Sequence, residues 1–95
     1  MFEEVTKKVS EQEAHICVVS GEAQLFLPVG HVSYHKTNAG NIVGVELNLV
    51  CDNSISFYAD DEITIPSSIP IDIQYSEWCY RVIQDNGLTQ FYVYG

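Results

Sequence analysis

Residues 42–51, IVGVELNLVC, limit most tightly how this chain can fold. Val43, Val45, Leu47, Leu49 and Cys51 alternate with Gly44, Glu46, Asn48 and Val50. Period two marks a strand with one buried face, because successive side chains leave a strand on opposite sides. No other alternation in the chain is as long, and turn chemistry flanks it on both sides. It reads as the central strand of a mostly β domain.

The neighbouring segments can be placed against this strand by their faces. A four-residue loop of Asn38, Ala39, Gly40 and Asn41 puts Thr37 opposite Ile42, Tyr34 opposite Val45 and Val32 opposite Leu47. A five-residue loop would set Ser33 and His35 against the apolar set instead. On the other side, a three-residue turn of Asp52, Asn53 and Ser54 aligns Ile55, Phe57 and Ala59 with Cys51, Leu49 and Leu47, and points Tyr58 outward. Asp60, Asp61 and Glu62 close that strand, and residues 63–65 form a short extended piece before Pro66. Ile69, Ile71, Ile73 and Tyr75 alternate with Pro70, Asp72 and Gln74, which predicts a further half-buried strand.

At the start of the chain, Phe2, Val5 and Val9 are spaced for one helical face over residues 2–12. Glu3–Lys7 and Glu4–Lys8 add i,i+4 pairs on the other face. Residues 14–20 read as a strand, Ser20-Gly21-Glu22 as a turn and residues 24–29 as a strand with Pro28 at an edge or bulge. Gly30 then turns the chain into residues 31–37. At the far end, Asn86-Gly87 signals a type I′ hairpin that pairs Val82 with Phe91 and Tyr80 with Val93, with Trp78 on the same face. Arg81 then faces Tyr92 on the outer side, where a cation–π contact can form. A helix capped by Ser76 and stopped by Gly87 would instead stripe Trp78, Cys79, Val82 and Ile83. The β-branched and aromatic content favours the hairpin. The sum is one domain, residues 1–95: a small antiparallel β-barrel or sandwich of six to eight strands with one short N-terminal helix.

Charge narrows the function classes. Thirteen acidic side chains against Lys7, Lys8, Lys36 and Arg81 give a formal net charge of −9. Such a chain has no basic stripe for a phosphate backbone, so neither direct nucleic-acid binding nor an anionic membrane surface is expected. The acidity serves solubility or steers a basic protein partner. Residues 1–8, MFEEVTKK, lack the apolar core of an export signal, and no segment is apolar enough to span a bilayer. Cys17, Cys51 and Cys79 fall inside predicted strands and form no CxxC, so they read as reduced, buried thiols of a cytoplasmic protein.

Few residues suggest chemistry. His31, His35 and Glu46 share the outer face, with Glu46 beside Ser33 between the histidines. The two histidines stand about 13 Å apart along a strand, too far for one ion. His15 sits between apolar neighbours and reads as structural. Asp60, Asp61 and Glu62 read as a solvated turn and not as a calcium loop. No nucleophile elbow or phosphate loop is present. The reading therefore calls for no metal and no cofactor, and leans away from an enzyme. It expects a small acidic binding or interaction protein that forms a homodimer, with a basic protein as a further partner, acting through Tyr58, Asp60, Asp61, Arg81, Tyr92 and Tyr94. Two alternatives remain open. One is a small-molecule site in a barrel lined by Tyr34, His35, Trp78 and Tyr80, and the other is an enzyme using His31 or His35 with Glu46.

Overall fold

The computed structural model describes residues 1–95. The chain folds as α1 (Phe2–Glu11), β1 (His15–Ser20), β2 (Ala23–Lys36), β3 (Ile42–Leu49), β4 (Ser54–Tyr58), β5 (Glu62–Thr64), β6 (Cys79–Gln84) and β7 (Thr89–Tyr94). The strands form one antiparallel sheet in the order β4-β3-β2-β1-β7-β6-β5. This is the mainly β architecture expected from the alternations, realised as a curled half-barrel.

Chain connectivity forces the curl. The edge strands β4 and β5 are separated only by Ala59, Asp60 and Asp61. In a flat seven-stranded sheet the edges would stand about 29 Å apart. The chain from Tyr58 to Glu62 reaches at most about 14 Å. The sheet therefore bends until its edges approach at this point. Gln84, at the end of β6, bridges them: its Nε2 donates to the Ser56 carbonyl at 2.7 Å and to Asp61 Oδ2 at 2.8 Å. The same carboxylate oxygen accepts the Tyr58 N–H at 2.8 Å.

The concave side is filled by α1. Val5 and Val9 are buried with Ile16, Val45, Leu47, Phe57, Tyr80, Val82, Phe91 and Val93. Phe2 meets Phe57 edge to face, with ring centroids 5.6 Å apart. Ten residues make a marginal helix in water, so this burial is what holds it. Two polar contacts pin its C-terminal end. Trp78 Nε1 donates to Gln12 Oε1 at 3.1 Å, and the Ser10 and Tyr34 hydroxyls bond to each other.

Several local expectations hold in detail. Tyr34 faces Val45 and Val32 faces Leu47, with a shift only at the strand end, where Lys36 takes the place opposite Ile42 expected for Thr37. Val82 pairs with Phe91 and Tyr80 with Val93, so β6 and β7 form the hairpin and not the alternative helix. Asn86 (φ 56°, ψ 33°) and Gly87 (φ 93°) supply the type I′ turn, closed by the Leu88 N–H on the Asp85 carbonyl at 3.1 Å.

Four details differ. Residues 24–29 and 31–37 are one 14-residue strand, β2, and Gly30 is a bulge and not a turn. The first half of β2 pairs with β1 and the second with β3, and Pro28 sits near the change of partner. A side chain at Gly30 would press on the Asn48 carbonyl at 3.3 Å. The extra residue keeps Leu27, Val29, Val32 and Tyr34 on one side. Second, β3 ends at Leu49, and the turn runs over residues 50–53 with Asp52 at φ 64° and the Leu49 N–H on the Asn53 carbonyl. Third, Ile55 therefore faces Leu47 and Phe57 faces Val45, four residues along β3 from the expected register. Cys51 accordingly lies exposed in the turn and not buried in a strand. Last, the expected strand over Ile69–Tyr75 does not form. Pro66 and Pro70 lack ladder donors. Residues 65–77 run as an irregular strap with one 3-10 turn, Ile71–Ile73, whose backbone bonds stay internal.

Replacing Gln84 with alanine removes both bonds across the seam, one of them to a carboxylate. The expected cost is about 1–3 kcal/mol, measured by urea unfolding, with amide exchange accelerated first in β4.

Candidate interaction surface

The convex side of β5, β6, β7, β1 and the first half of β2 carries three rows of side chains. Thr64, Arg81, Tyr92, Cys17 and Phe26 form the middle row, because each stands opposite the next in the ladder. Cys79, Tyr94, His15 and Pro28 form the row on one side of it. Glu62, Ile83, Gln90, Val19 and Gln24 form the row on the other. The strap crosses this face. Cys17 points away from the main core yet is 0% exposed, and Ile73 of the strap is buried as well. They belong to a second, smaller core on the outer side.

Arg81, Tyr92 and Tyr94, three of the predicted interaction residues, are brought together here and are only half exposed. Tyr94 stacks on His15 with ring centroids 5.5 Å apart and an interplanar angle of 23°. Burial pushes the Tyr94 hydroxyl and the Cys17 thiol up, and the Asp72 carboxylate adds to the effect on Cys17. Burial, reinforced by Cys17, pushes the Cys79 thiol up to about 11.

Tyr58, the third aromatic candidate, lies on the other half of the sheet. His35, Gly44 and Tyr58 form one outer row, Ser33, Glu46 and Ser56 the next, and His31, Asn48 and Ser54 the third. His31, His35 and Glu46 therefore share a face as the register predicted, with Glu46 between the histidines. They do not converge: no group of three or more His, Cys, Asp or Glu side chains could hold a metal ion. His35 is engaged with Tyr58, the rings stacking at 6.1 Å across Gly44. A Cβ at Gly44 would stand 2.7 Å from the Tyr58 ring.

Of the proposed pocket residues, Tyr34, Trp78 and Tyr80 face α1, whereas His35 faces outward against Tyr58. Tyr34 bonds to Ser10, Trp78 to Gln12, and the Trp78 and Tyr80 rings lie 6.0 Å apart. The helix fills the space that an internal ligand would use. Asp60 and Asp61 lie at the seam, where they line an open cleft of about 400 Å³ with Glu62 and Asp85. Asp61 is occupied by its seam bonds, and Asp85 Oδ2 accepts the Thr89 hydroxyl at 2.9 Å.

The residues that reading from sequence missed are on the strap. Tyr75 is 91% exposed, Ile71 74% and Ile65 65%. Asp72 and Glu77 lie among them, and Glu62 and Asp85 lie at the other end of the same face. Arg81 is the only lysine or arginine there, since Lys7 and Lys8 are on α1 and Lys36 ends β2. The signal that would have found this segment is its proline spacing, because Pro66 and Pro70 argue against a paired strand there.

Comparison with protein-family models, with curated proteins and with solved structures finds no match. No helix is long and apolar enough to cross a membrane.

Two outcomes are expected. A thiol or phenol whose folded value is raised keeps its proton in the native state longer than in the unfolded chain. Its stabilisation is complete below the unfolded value and is lost as pH climbs through the folded one. Stability should therefore fall as pH rises from 9.0 towards about 11, the interval set by Cys79. Thermal unfolding across that range checks this, and Cys79→Ala should flatten the slope. Gly44→Ala should unstack His35 from Tyr58. The expected cost is about 1 kcal/mol, at the low end for overpacking because the Tyr58 ring is partly in water and can rotate. Imidazole chemical shifts of His35 report the change.

Proposed function

We propose that this protein is a binding module that docks a basic protein partner on its strap-bearing convex face. One observation carries the reading: an ordered segment holds Tyr75 and Ile71 out in water, 91% and 74% exposed. Tyrosine supplies a large anchor at low entropic cost, and such residues dominate the energetics of protein interfaces. Asp72 and Glu77 stand beside these anchors on the strap, Glu62 and Asp85 lie at the other end of the same face, and its only lysine or arginine is Arg81. A basic partner is steered towards that charge, and like-charged partners are rejected. A second copy of this chain would bring another −9 to the interface. The same argument disfavours the homodimer. The three free cysteines suit a reducing compartment such as the cytoplasm.

The test compares wild type with Tyr75→Ser/Ile71→Ser, each immobilised and exposed to soluble cell extract. The expected result is retention of a basic protein by the wild type, released by about 0.5 M salt. Retention should weaken about tenfold or more in the variant, equivalent to roughly 1.4 kcal/mol, while the melting temperature stays close to wild type. Equal retention by both forms overturns the reading. Sedimentation of the free protein checks the other occupant: a dimer lost on the same substitutions assigns the face to a second copy.

A further inference from the structure

We infer that the strap, residues 65–77, is a hinged cover that lifts off the sheet without unfolding it, uncovering the row formed by Arg81, Tyr92 and Cys17. The inference concerns the motion of the segment and does not depend on what binds to it.

The attachment of the strap is unusually weak for an ordered segment. The backbone bonds of Ile73, Gln74 and Ser76 end on Pro70, Ile71 and Ile73, all within the strap. No side-chain hydrogen bond ties residues 65–76 to the rest of the chain. The first tie comes at Glu77, whose N–H donates to the Gly95 carbonyl at 2.7 Å. Ile73 is the only fully buried side chain of the segment, while Ile65, Ile71 and Tyr75 are exposed. Ile73 is thus the main apolar anchor of the cover, with Pro66, Ile69 and Pro70 only half-buried.

The closed state also carries a penalty. Thr64 Oγ1, Arg81 Nε and Ser76 Oγ are buried without a hydrogen-bond partner. Thr64 and Arg81 are neighbours across β5 and β6; Thr64 immediately precedes the strap and Ser76 lies near its C-terminal end. Opening returns these atoms to water, which offsets part of the cost of exposing Ile73. The sheet beneath keeps its own ladder bonds, so local opening and global unfolding are separable events. Opening widens the accessible row from Phe26 at its edge to include Cys17, Tyr92 and the full guanidinium of Arg81.

Cys17 makes the motion measurable, since it is wholly covered when the strap is down and Cys51 is exposed throughout. A Cys51→Ser background removes the fast site. Labelling with a thiol-specific disulfide reagent, mapped by peptide mass spectrometry, then follows Cys17 against urea concentration below the unfolding transition. The expected result is a rate whose urea dependence is far shallower than that of global unfolding, because strap opening exposes little surface. Ile73→Ala should raise the Cys17 rate about 30-fold or more, the shift that loss of a buried isoleucine implies. A wild-type urea dependence equal to that of global unfolding overturns the proposal. So does a folded Ile73→Ala protein that labels no faster than wild type. If Ile73→Ala does not fold, the wild-type urea dependence decides alone.

Discussion

A span of three residues between β4 and β5 governs this structure. These strands are the two edges of the sheet, and the chain between them is far too short to cross a flat one. Curling brings the edges together and creates a deep concave side, which α1 fills with Val5 and Val9. Gln84 and Asp61 then occupy outward-facing backbone groups of β4 at the seam. That protection matters because an open edge is a template for unwanted strand pairing. The other edge, β5, is only three residues long, which limits the same hazard.

Closing the inner side leaves the outer side to carry whatever the surface does, and the two halves of the sheet solve this differently. The β2–β4 half is polar outside, with His31, Ser33, Glu46, Asn48, Ser54 and Ser56 in a regular array. The β5–β6–β7–β1 half sets Tyr92, Tyr94, Cys17, Val19 and Ile83 outside among Arg81, His15, Gln90 and Glu62, and the strap crosses this face with Ile73 buried. A cover made without ladder bonds can place side chains that a strand could not. Here it turns Tyr75 and Ile71 outward beside Asp72 and Glu77. The proposed binding surface and the proposed mobile element are thus one segment, which its prolines keep out of the sheet.

Much of the fold was legible in the sequence because it rests on periods and turn residues, which are local. The alternation over β3 identified its buried face, the Phe2–Val5–Val9 spacing located α1, and Asn86-Gly87 specified its turn type. The outer-face company of His31, His35 and Glu46 followed from the β2–β3 register. Local patterns fail where two arrangements share the same pattern. A slip of four residues along β3 leaves every side chain of β4 on its proper face, so alternation could not place Phe57 opposite Val45. Glycine serves a bulge as well as a turn, so Gly30 did not reveal that β2 continues through it. The isoleucines of the strap alternate like a strand, and only its prolines argued otherwise.

The sequence by itself determined which residues prefer the interior, where the chain reverses, and the excess of acidic over basic side chains. These are properties of neighbours along the chain. Tertiary structure alone decided which face each charge occupies. Lys7, Lys8 and Lys36 are carried away from the strap-bearing face, while Glu62, Asp72, Glu77 and Asp85 are gathered on it. It also separated Tyr58 from Tyr92 and Tyr94, which the sequence suggested as one surface, and exposed Tyr75 in their place. The reason is physical: side-chain position on a curled sheet depends on which distant strands pair and on what covers them. Both are settled by the reach of the chain between β4 and β5 and by the burial of Ile73, and neither is encoded in a local period.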